Sequence, residues 1–525
     1  MRTMGGTRRR ADDEREARVV RALRAGERSP RVIILGAGAG GIAMAIRLLE
    51  LEIDDITILE KSDGFGGTWR DNTYPGCACD APSHLYSFSF APNPDWSRKF
   101  APQPEILDYM ERVAAEHDLG RFTRFGVEVA EARYLEDAME WQLRTTDGDT
   151  MRCDVIVAAM GQLNRPATPE IPGLVDFEGT TFHSARWDHS HDLHGERVAV
   201  IGNGASAVQF VPEIAPAVEH LTLFQRSANW IAPKPDRVYP GWEKRLYRWL
   251  PWLRRAYRNK IYLSFEARFV MFHRNSRLGR AFMQQARKGL HAKVVARDIT
   301  AEMVVPDYPP GCKRILISND YYPALHRQNV TVTTAPISGI EANAVLTEDG
   351  ERHEVDTIVF GTGFESTRFL APVEVVGRDG RSLSSVWRDG AAAYLGISVP
   401  DFPNLFLLYG PNTNLGHNSI IFMLECQVRY VASLLAEMID RRARSVEVSH
   451  DAMRSYEDGL DRALENTVWA DSCDSWYKTA TGRITNNWPH TTVSYWLRTR
   501  HPETCDYRFE AMPASPAPDE VAAVS

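Results

Sequence analysis

The sequence predicts an α/β fold of two Rossmann-like dinucleotide-binding units with a helical insertion, on three observations. Two glycine fingerprints each follow an apolar run rich in branched residues, and a second apolar run follows each fingerprint at the same distance. Those second runs end in opposite charges, Glu60 in one unit and Arg226 in the other. Strand, glycine turn, helix and second strand in that order make the βαβ unit that holds a dinucleotide.

Residues 1–29 are charged and rich in Ala and Arg. They are expected to form an extension, a frayed helix or a disordered arm, with no catalytic role. The first unit, the FAD-binding domain, is expected over 30–165. It opens on Val32-Ile33-Ile34-Leu35 and turns through Gly36-Ala37-Gly38-Ala39-Gly40-Gly41. Gly36 allows the tight turn, Gly38 lets backbone N–H groups approach a pyrophosphate, and Gly41 lets helix and strand pack closely. The pyrophosphate then rests on a helix N-terminus, where free N–H groups and the dipole favour negative charge. Glu60 ends the run Ile56-Thr57-Ile58-Leu59. Its carboxylate accepts hydrogen bonds from ribose hydroxyls and repels a 2′-phosphate, which points to FAD.

The stretch Pro166 to Pro172 reads as a linker within 166–195. The NADP-binding domain is expected over 196–345, opening on Val198-Ala199-Val200-Ile201 and Gly202-Asn203-Gly204-Ala205-Ser206-Ala207. Ala207 takes the third fingerprint position beside Gly202 and Gly204. Arg226 ends Leu221-Thr222-Leu223-Phe224-Gln225, and a guanidinium there binds the 2′-phosphate of NADP. After Val355-Asp356-Thr357-Ile358-Val359-Phe360 the chain returns to the first unit, whose second part is placed at 346–510. The tail 511–525, rich in Ala and Pro, is expected to be disordered.

Between about 236 and 300 the pattern turns helical, with Trp242, Leu246, Trp249, Leu250, Trp252, Leu253, Tyr257, Ile261 and Phe265 at short intervals. Residues 241–300 hold 15 Lys and Arg against 3 Asp and Glu. The favoured reading is a helical subdomain whose aromatics line the core and whose cations face water. Contact with a membrane surface is the alternative.

The net charge of −8 argues against nucleic acid as a partner. No apolar run has the length of a membrane span and no secretory leader is read, so a cytoplasmic location is expected. Oligomeric state is not readable. Seven dispersed cysteines give neither a disulfide framework nor a metal set, so no metal is expected. Cys77 and Cys79 are spaced CxC rather than CxxC, and Gly66-Gly67-Thr68 leads to Trp69 where a flavin disulfide reductase would soon place its reactive cysteines.

Between the fingerprints lies Phe177-Glu178-Gly179-Thr180-Thr181-Phe182-His183-Ser184-Ala185-Arg186-Trp187-Asp188. This FxGxxxHxxxWD string closely resembles the signature of type I Baeyer-Villiger monooxygenases, and the resemblance runs from about residue 31 to 500. It implies that Phe177, Gly179, His183, Trp187 and Asp188 couple the two domains rather than transfer protons. Gly66-Gly67-Thr68-Trp69 with Tyr74-Pro75-Gly76 and Cys79-Asp80 resembles the family's flavin-side loop, which assigns Gly67, Thr68, Trp69 and Asp80 to the cofactor. Lys313-Arg314 resembles its active-site pair: Arg314 as the catalytic cation, and Lys313 holding the 2′-phosphate with Arg226 and Ser227. Phe360-Gly361-Thr362-Gly363-Phe364 is similar to the second interdomain link, with Gly361 where alanine is more usual. Trp476, in Ser472-Cys473-Asp474-Ser475-Trp476-Tyr477, resembles a loop that closes over the nicotinamide.

The reaction that the resemblance implies is insertion of one oxygen atom of O2 beside a ketone carbonyl, giving an ester or lactone through a flavin C4a-peroxide. A permanent cation suits that chemistry, because Arg stays protonated where a buried Lys could lose its charge. Asp80 would orient Arg314 and offset its charge. The substrate is expected to be a lipophilic ketone. The alternative is a flavin-containing monooxygenase acting on nitrogen or sulfur, against which Trp187-Asp188 and Lys313-Arg314 speak. A non-enzymatic redox sensor would not need the second nucleotide unit.

Overall fold

Short apolar runs become parallel strands buried on both faces, as crossover connections with helices above and below require. The computed structural model describes residues 2–512 apart from 275, 278, 282–283, 286–287, 289–299 and 472–474. The strands β1 (Val32–Leu35), β2 (Ile56–Glu60), β3 (Thr123–Phe125), β4 (Val155–Ala158), β5 (Thr180–His183), β6 (Arg197–Ile201), β7 (His220–Phe224), β8 (Val330–Thr333), β9 (Thr357–Phe360) and β10 (Leu405–Leu407) form two five-stranded sheets. Their orders are β10-β4-β1-β2-β3 and β8-β7-β6-β9-β5, parallel at every pairing. Every residue of β1, β4 and β9 is buried.

The helix α1 (Arg2–Arg24) precedes the first sheet, and α2 (Ala39–Glu50) follows β1. Correspondingly, α3 (Ala205–Ile214) follows β6. The insertion contributes α4 (Gly241–Trp249) and α5 (Pro251–Glu266), and α6 (Ile420–Asp440) packs on α2. In each unit a strand therefore hands its chain to a helix that starts at the fingerprint.

Three expectations need correction. The strands β5 and β9 belong to the second sheet, β9 beside β6 and β5 at the edge beyond β9, so 180–183 is not linker and 357–360 is not part of the returning first unit. The sequence could not decide this, since an interior parallel strand reads the same in either sheet. The return follows Phe360: Glu374–Val376 pairs with Val129–Leu135, and β10 with β4.

The extension is a docked helix rather than an arm. Val19 is buried, and α1's charges are answered by other elements: Arg15 lies 2.8 Å from Glu437, Arg18 2.8 Å from Asp440 and Glu16 2.6 Å from Arg47. A charge-rich stretch looks solvated until its partners, more than 400 residues away in two of these pairs, are known.

The insertion is helical over 241–272, but its large apolar side chains divide. Tyr247, Ile261, Phe269 and Phe272 are buried, while Trp242, Trp249 and Trp252 stand in solvent. Residues 513–525 of the expected disordered tail lie outside the described residues. Among the described residues no helix is long and apolar enough to cross a membrane and no cluster could hold a metal.

Candidate active site

The two fingerprints form matching cradles because the same contacts are excluded in each. Gly36 has φ 104° and Gly202 φ 102°, the left-handed region that glycine adopts without strain. A Cβ on Gly36 would sit 2.8 Å from the Ala159 carbonyl oxygen, and one on Gly202 2.5 Å from that of Gly361. On Gly41 it would lie 1.9 Å from the Gly36 oxygen, so that position cannot carry a side chain without moving the turn. In the second unit Ala207 fits, and its methyl would meet a Cβ on Gly361 at 3.3 Å.

Glu60 ends β2 buried, its Oε2 accepting the Ala37 N–H at 2.7 Å and its Oε1 the Ser62 N–H at 2.8 Å. The Gly66-Gly67 loop lies directly on this cradle. The Gly66 N–H donates to the Ala37 oxygen at 3.1 Å, and a Cβ on Gly67 would come within 2.9 Å of the Gly38 Cα. Thr68 and Trp69 open a single helical turn from there, and Trp69 Nε1 donates to the Tyr86 hydroxyl at 3.0 Å.

One cavity of about 1760 Å³ joins both cradles. A site for one drug-sized ligand holds roughly 300–1,000 Å³, so there is room for two dinucleotides. Gly36, Gly38, Glu60, Gly67, Thr68, Trp69, Asp80, Gly202, Gly204, Arg226, Ser227, Lys313, Arg314 and Trp476 all line it. Gly41 and Ala207 lie beneath the lining, where their small size sets the closeness of helix to strand.

Asp80 comes from the loop after the Gly-Gly-Thr turn of the first unit, and Arg314 from just before Leu316–Ile317 in the second. They meet across the cavity, with Arg314 Nε donating to Asp80 Oδ2 at 2.9 Å and Nη2 donating to the same oxygen. Each side chain keeps 33% of its surface open. The Asp80 carboxylate raises the affinity of Arg314 for its proton, outweighing the opposing effect of burial. The guanidinium is thus charged at any working pH, and only some of its five N–H donors are used by Asp80.

Lys313 points the other way. Its Nζ donates to Ser227 Oγ at 2.9 Å and stands 4.7 Å from the centre of the Tyr308 ring. With the exposed Arg226 beside them, these residues make an anion-binding edge on the second cradle. The donor sets therefore differ: a carboxylate edges the first cradle, which fits an unphosphorylated ribose, and cations and a hydroxyl edge the second, which fits a 2′-phosphate.

The signature residues lie outside the cavity. His183 ends β5, its Nδ1 accepting the Ala185 N–H at 3.0 Å and its ring edge-on to Phe364 at 5.9 Å; burial pushes its pKa down. Trp187 packs on Phe182 and on Phe210 of α3. Phe177 packs against the core cluster that includes Ile340 and Phe360, and a Cβ on Gly179 would lie 2.2 Å from the Asp356 oxygen. Asp188 is half-buried at the surface and shapes its own turn by accepting the Ser190 N–H at 2.9 Å.

Trp476 lines the cavity, held by its carbonyl, which accepts from Ser366 Oγ at 2.9 Å. Ser472, Cys473 and Asp474 of the same string lie outside the described residues.

Two tyrosines beside Arg314 were not anticipated. Tyr409, at the carboxyl end of β10, has φ 59°, and its hydroxyl donates to Asn414 Oδ1 at 2.7 Å. Tyr477 is buried, which pushes its phenol up to about 12 against the pull of Arg314. The signal for Tyr409 was available, since Leu405-Phe406-Leu407 runs into Gly410-Pro411-Asn412 and ligands gather at the carboxyl ends of parallel strands. For Tyr477 the only pointer was its neighbour Trp476.

Two dinucleotide cradles facing one cavity, with a fixed cation between them, define an oxidoreductase that works with two nucleotide cofactors. Comparison with known proteins agrees. Residues 29–375 match the family model described as flavin-binding monooxygenase-like. A Baeyer-Villiger monooxygenase of Pseudomonas aeruginosa is 42% identical over 498 residues, covering 94% of each chain. One of Streptomyces coelicolor is 42% identical over 497 residues, again covering 94% of each. Among solved structures, a steroid monooxygenase bound to NADP superposes with a TM-score of 0.82 at 29% identity, covering 92% of this chain and 100% of that one. A cyclohexanone monooxygenase of Rhodococcus sp. Phi1 bound to NADP+ gives 0.83 at 28% identity, covering 92% and 99%. The chain belongs to the flavin-binding monooxygenase family, on its Baeyer-Villiger branch.

Proposed function

We propose that the chain holds FAD in the first cradle and NADPH in the second, and inserts one oxygen atom beside the carbonyl of a lipophilic ketone. The balance is ketone, O2, NADPH and a proton in, and ester or lactone, NADP+ and water out. The bound flavin, reduced by the nicotinamide, supplies the activation of O2. Glu60 binds the ribose of the first nucleotide, while Arg226, Ser227 and Lys313 hold the 2′-phosphate of the second. Arg314 presents a fixed positive charge to oxygen as negative charge develops there, and Asp80 orients it from the opposite domain. Trp69, Tyr409 and Trp476 cover the cavity wall and keep water from the reacting atoms. A cytoplasmic location is part of the same reading.

The observation that carries this assignment is the ion pair of Arg314 with Asp80 between the cradles, contributed by one residue from each unit. A permanent cation fits nucleophilic oxygen transfer to a carbonyl, whereas oxygenation of an amine or sulfide needs no charge on the transferred oxygen. The test is incubation of the purified yellow protein with NADPH, 18O2 and linear, cyclic, aromatic and steroidal ketones, with products read by mass spectrometry. One labelled atom in an ester or lactone is expected. Oxidation of amines and sulfides with no ester from any ketone would overturn the assignment.

A further inference from the structure

The helices α4 and α5 meet at Leu250, which ends one and begins the other, so they form a sharp corner with two different faces. The inner face is packed and satisfied. Tyr247 stacks on Tyr257 at 5.6 Å, both rings meet His84 edge-on, and Tyr262 lies against Phe422 of α6 at 5.1 Å. Arg258 Nη1 donates to the carbonyls of His84 at 2.7 Å and Ser87 at 2.9 Å.

The outer face has no such cover. Trp242, Trp249 and Trp252 are 63%, 80% and 64% exposed, with Leu250 and Leu263 beside them. Arg245, Arg255 and Lys260 are exposed on the same two helices, as is Arg248, whose charge Asp95 meets at 2.5 Å. Neither carboxylate of the pair offsets these charges. Glu243 is taken up by both Arg237 Nη groups at 2.6 and 2.7 Å, and Glu266 by Thr492 at 2.6 Å and Asn418 at 2.8 Å. The patch is positive on a chain of net charge −8.

Three solvated indoles on two adjoining helices, with cations between them, mark an interaction surface. A second copy is the poorer partner, because a twofold contact would bring two positive patches together. Tryptophan and arginine together suit a lipid interface, where the indole sits at headgroup depth and the cation meets phosphate. We propose that this corner docks the protein peripherally on anionic lipid membranes. Lipid binding stands on this surface alone. Its use for substrate rests on the proposed function: farther along α5, Tyr262 packs on Phe422, next to Ile420 and Ile421 of the cavity wall, so the helix that carries the patch also reaches the cavity from which a membrane-dissolved lipophilic ketone would be taken.

The test is flotation of the full-length flavin-loaded protein with vesicles of phosphatidylcholine carrying phosphatidylglycerol at about one part in three. Vesicles of phosphatidylcholine alone are the comparison. The protein should float with the anionic vesicles at low salt, with its indole emission shifted to the blue, and should be released at high salt. W249S/W252S should lower the partition coefficient by about tenfold or more, and R245Q/R255Q by about fivefold per charge. Both variants should keep the parent's thermal midpoint, flavin content and rate of NADPH oxidation in lipid-free solution. Absence of flotation at low salt, equal flotation of W249S/W252S, or a dimer that W249S/W252S dissolves would overturn the proposal.

Discussion

Replacing Arg314 separates the two halves of the reaction. Arg314 spends two N–H donors on one oxygen of Asp80, from Nε at 2.9 Å and from Nη2, which leaves the outer edge of the guanidinium for the reacting oxygen. Arg314→Ala removes that charge and leaves Lys313 on Ser227 Oγ, 2.9 Å away, so the NADPH-binding edge persists. Losing one preorganised electrostatic stabiliser costs roughly 3–4 kcal/mol, which is about a hundredfold to a thousandfold in oxygen transfer. Hydride delivery should change by no more than about threefold. The assay follows NADPH consumption, hydrogen peroxide and ester in one vessel, with flavin content and thermal midpoint as controls for folding. NADPH should still be consumed while oxygen is recovered as peroxide. Arg314→Lys keeps a charge but loses the planar fork and the certainty of protonation, and should fall between. Ester yield per NADPH in Arg314→Ala equal to that of the parent would refute the reasoning.

Two further outcomes follow from charge placement. Arg226→Ala should raise KM for NADPH about tenfold to a hundredfold and leave that for NADH nearly unchanged, because a charge-assisted bond to the 2′-phosphate contributes roughly 1.5–3 kcal/mol; initial rates with both coenzymes check this. Glu266 closes α5 onto the loops at 418 and 492. Burial alone would raise its pKa, but His417 3.5 Å away and bonds from Thr492, the Val493 N–H and Asn418 outweigh that and hold it at about 2, below its ordinary 4.5. A depressed carboxylate stabilises the fold fully above its unfolded value, and the contribution is lost as pH falls from about 4.5 towards 2. Urea midpoints should therefore show Glu266→Gln less stable than the parent by up to about 3 kcal/mol at neutral pH, with the gap closing through that window.

What could be read from the sequence was local, and what could not was set by distant partners. The glycines, Glu60 and Arg226 announce themselves because turn sterics and ribose chemistry act within one βαβ unit. Asp80 and Arg314 are visible as types near a turn and a strand, but their meeting depends on how two units face each other. The membership of β9 in the second sheet was hidden for the same reason: Thr357–Phe360 is as apolar and as branched as Val155–Ala158. Tryptophans in the insertion misled most, since an amphipathic helix reads identically whether its aromatic face meets a core or stands in solvent. Only burial tells the two apart.

The signature string owes its place to the geometry of the crossings rather than to the cavity. The chain passes between units before β5 and again after β9, and those two strands sit together in one sheet with β9 next to β6. His183 at the end of β5 touches Phe364 just beyond β9, so the two crossings are fastened at one point. Trp187 packs on Phe210, and Phe210 on Tyr74, six residues before Asp80 in the opposite unit. Gln209, next to Phe210, reinforces that line: its Nε2 donates to the Ala78 carbonyl at 2.9 Å and its Oε1 accepts from the Tyr74 hydroxyl at 3.0 Å. Since Asp80 and Arg314 are carried by different units, any slip between the units would lengthen their contact directly. On the proposed function, this string, which lies outside the cavity, positions the two units whose contact orients the cation.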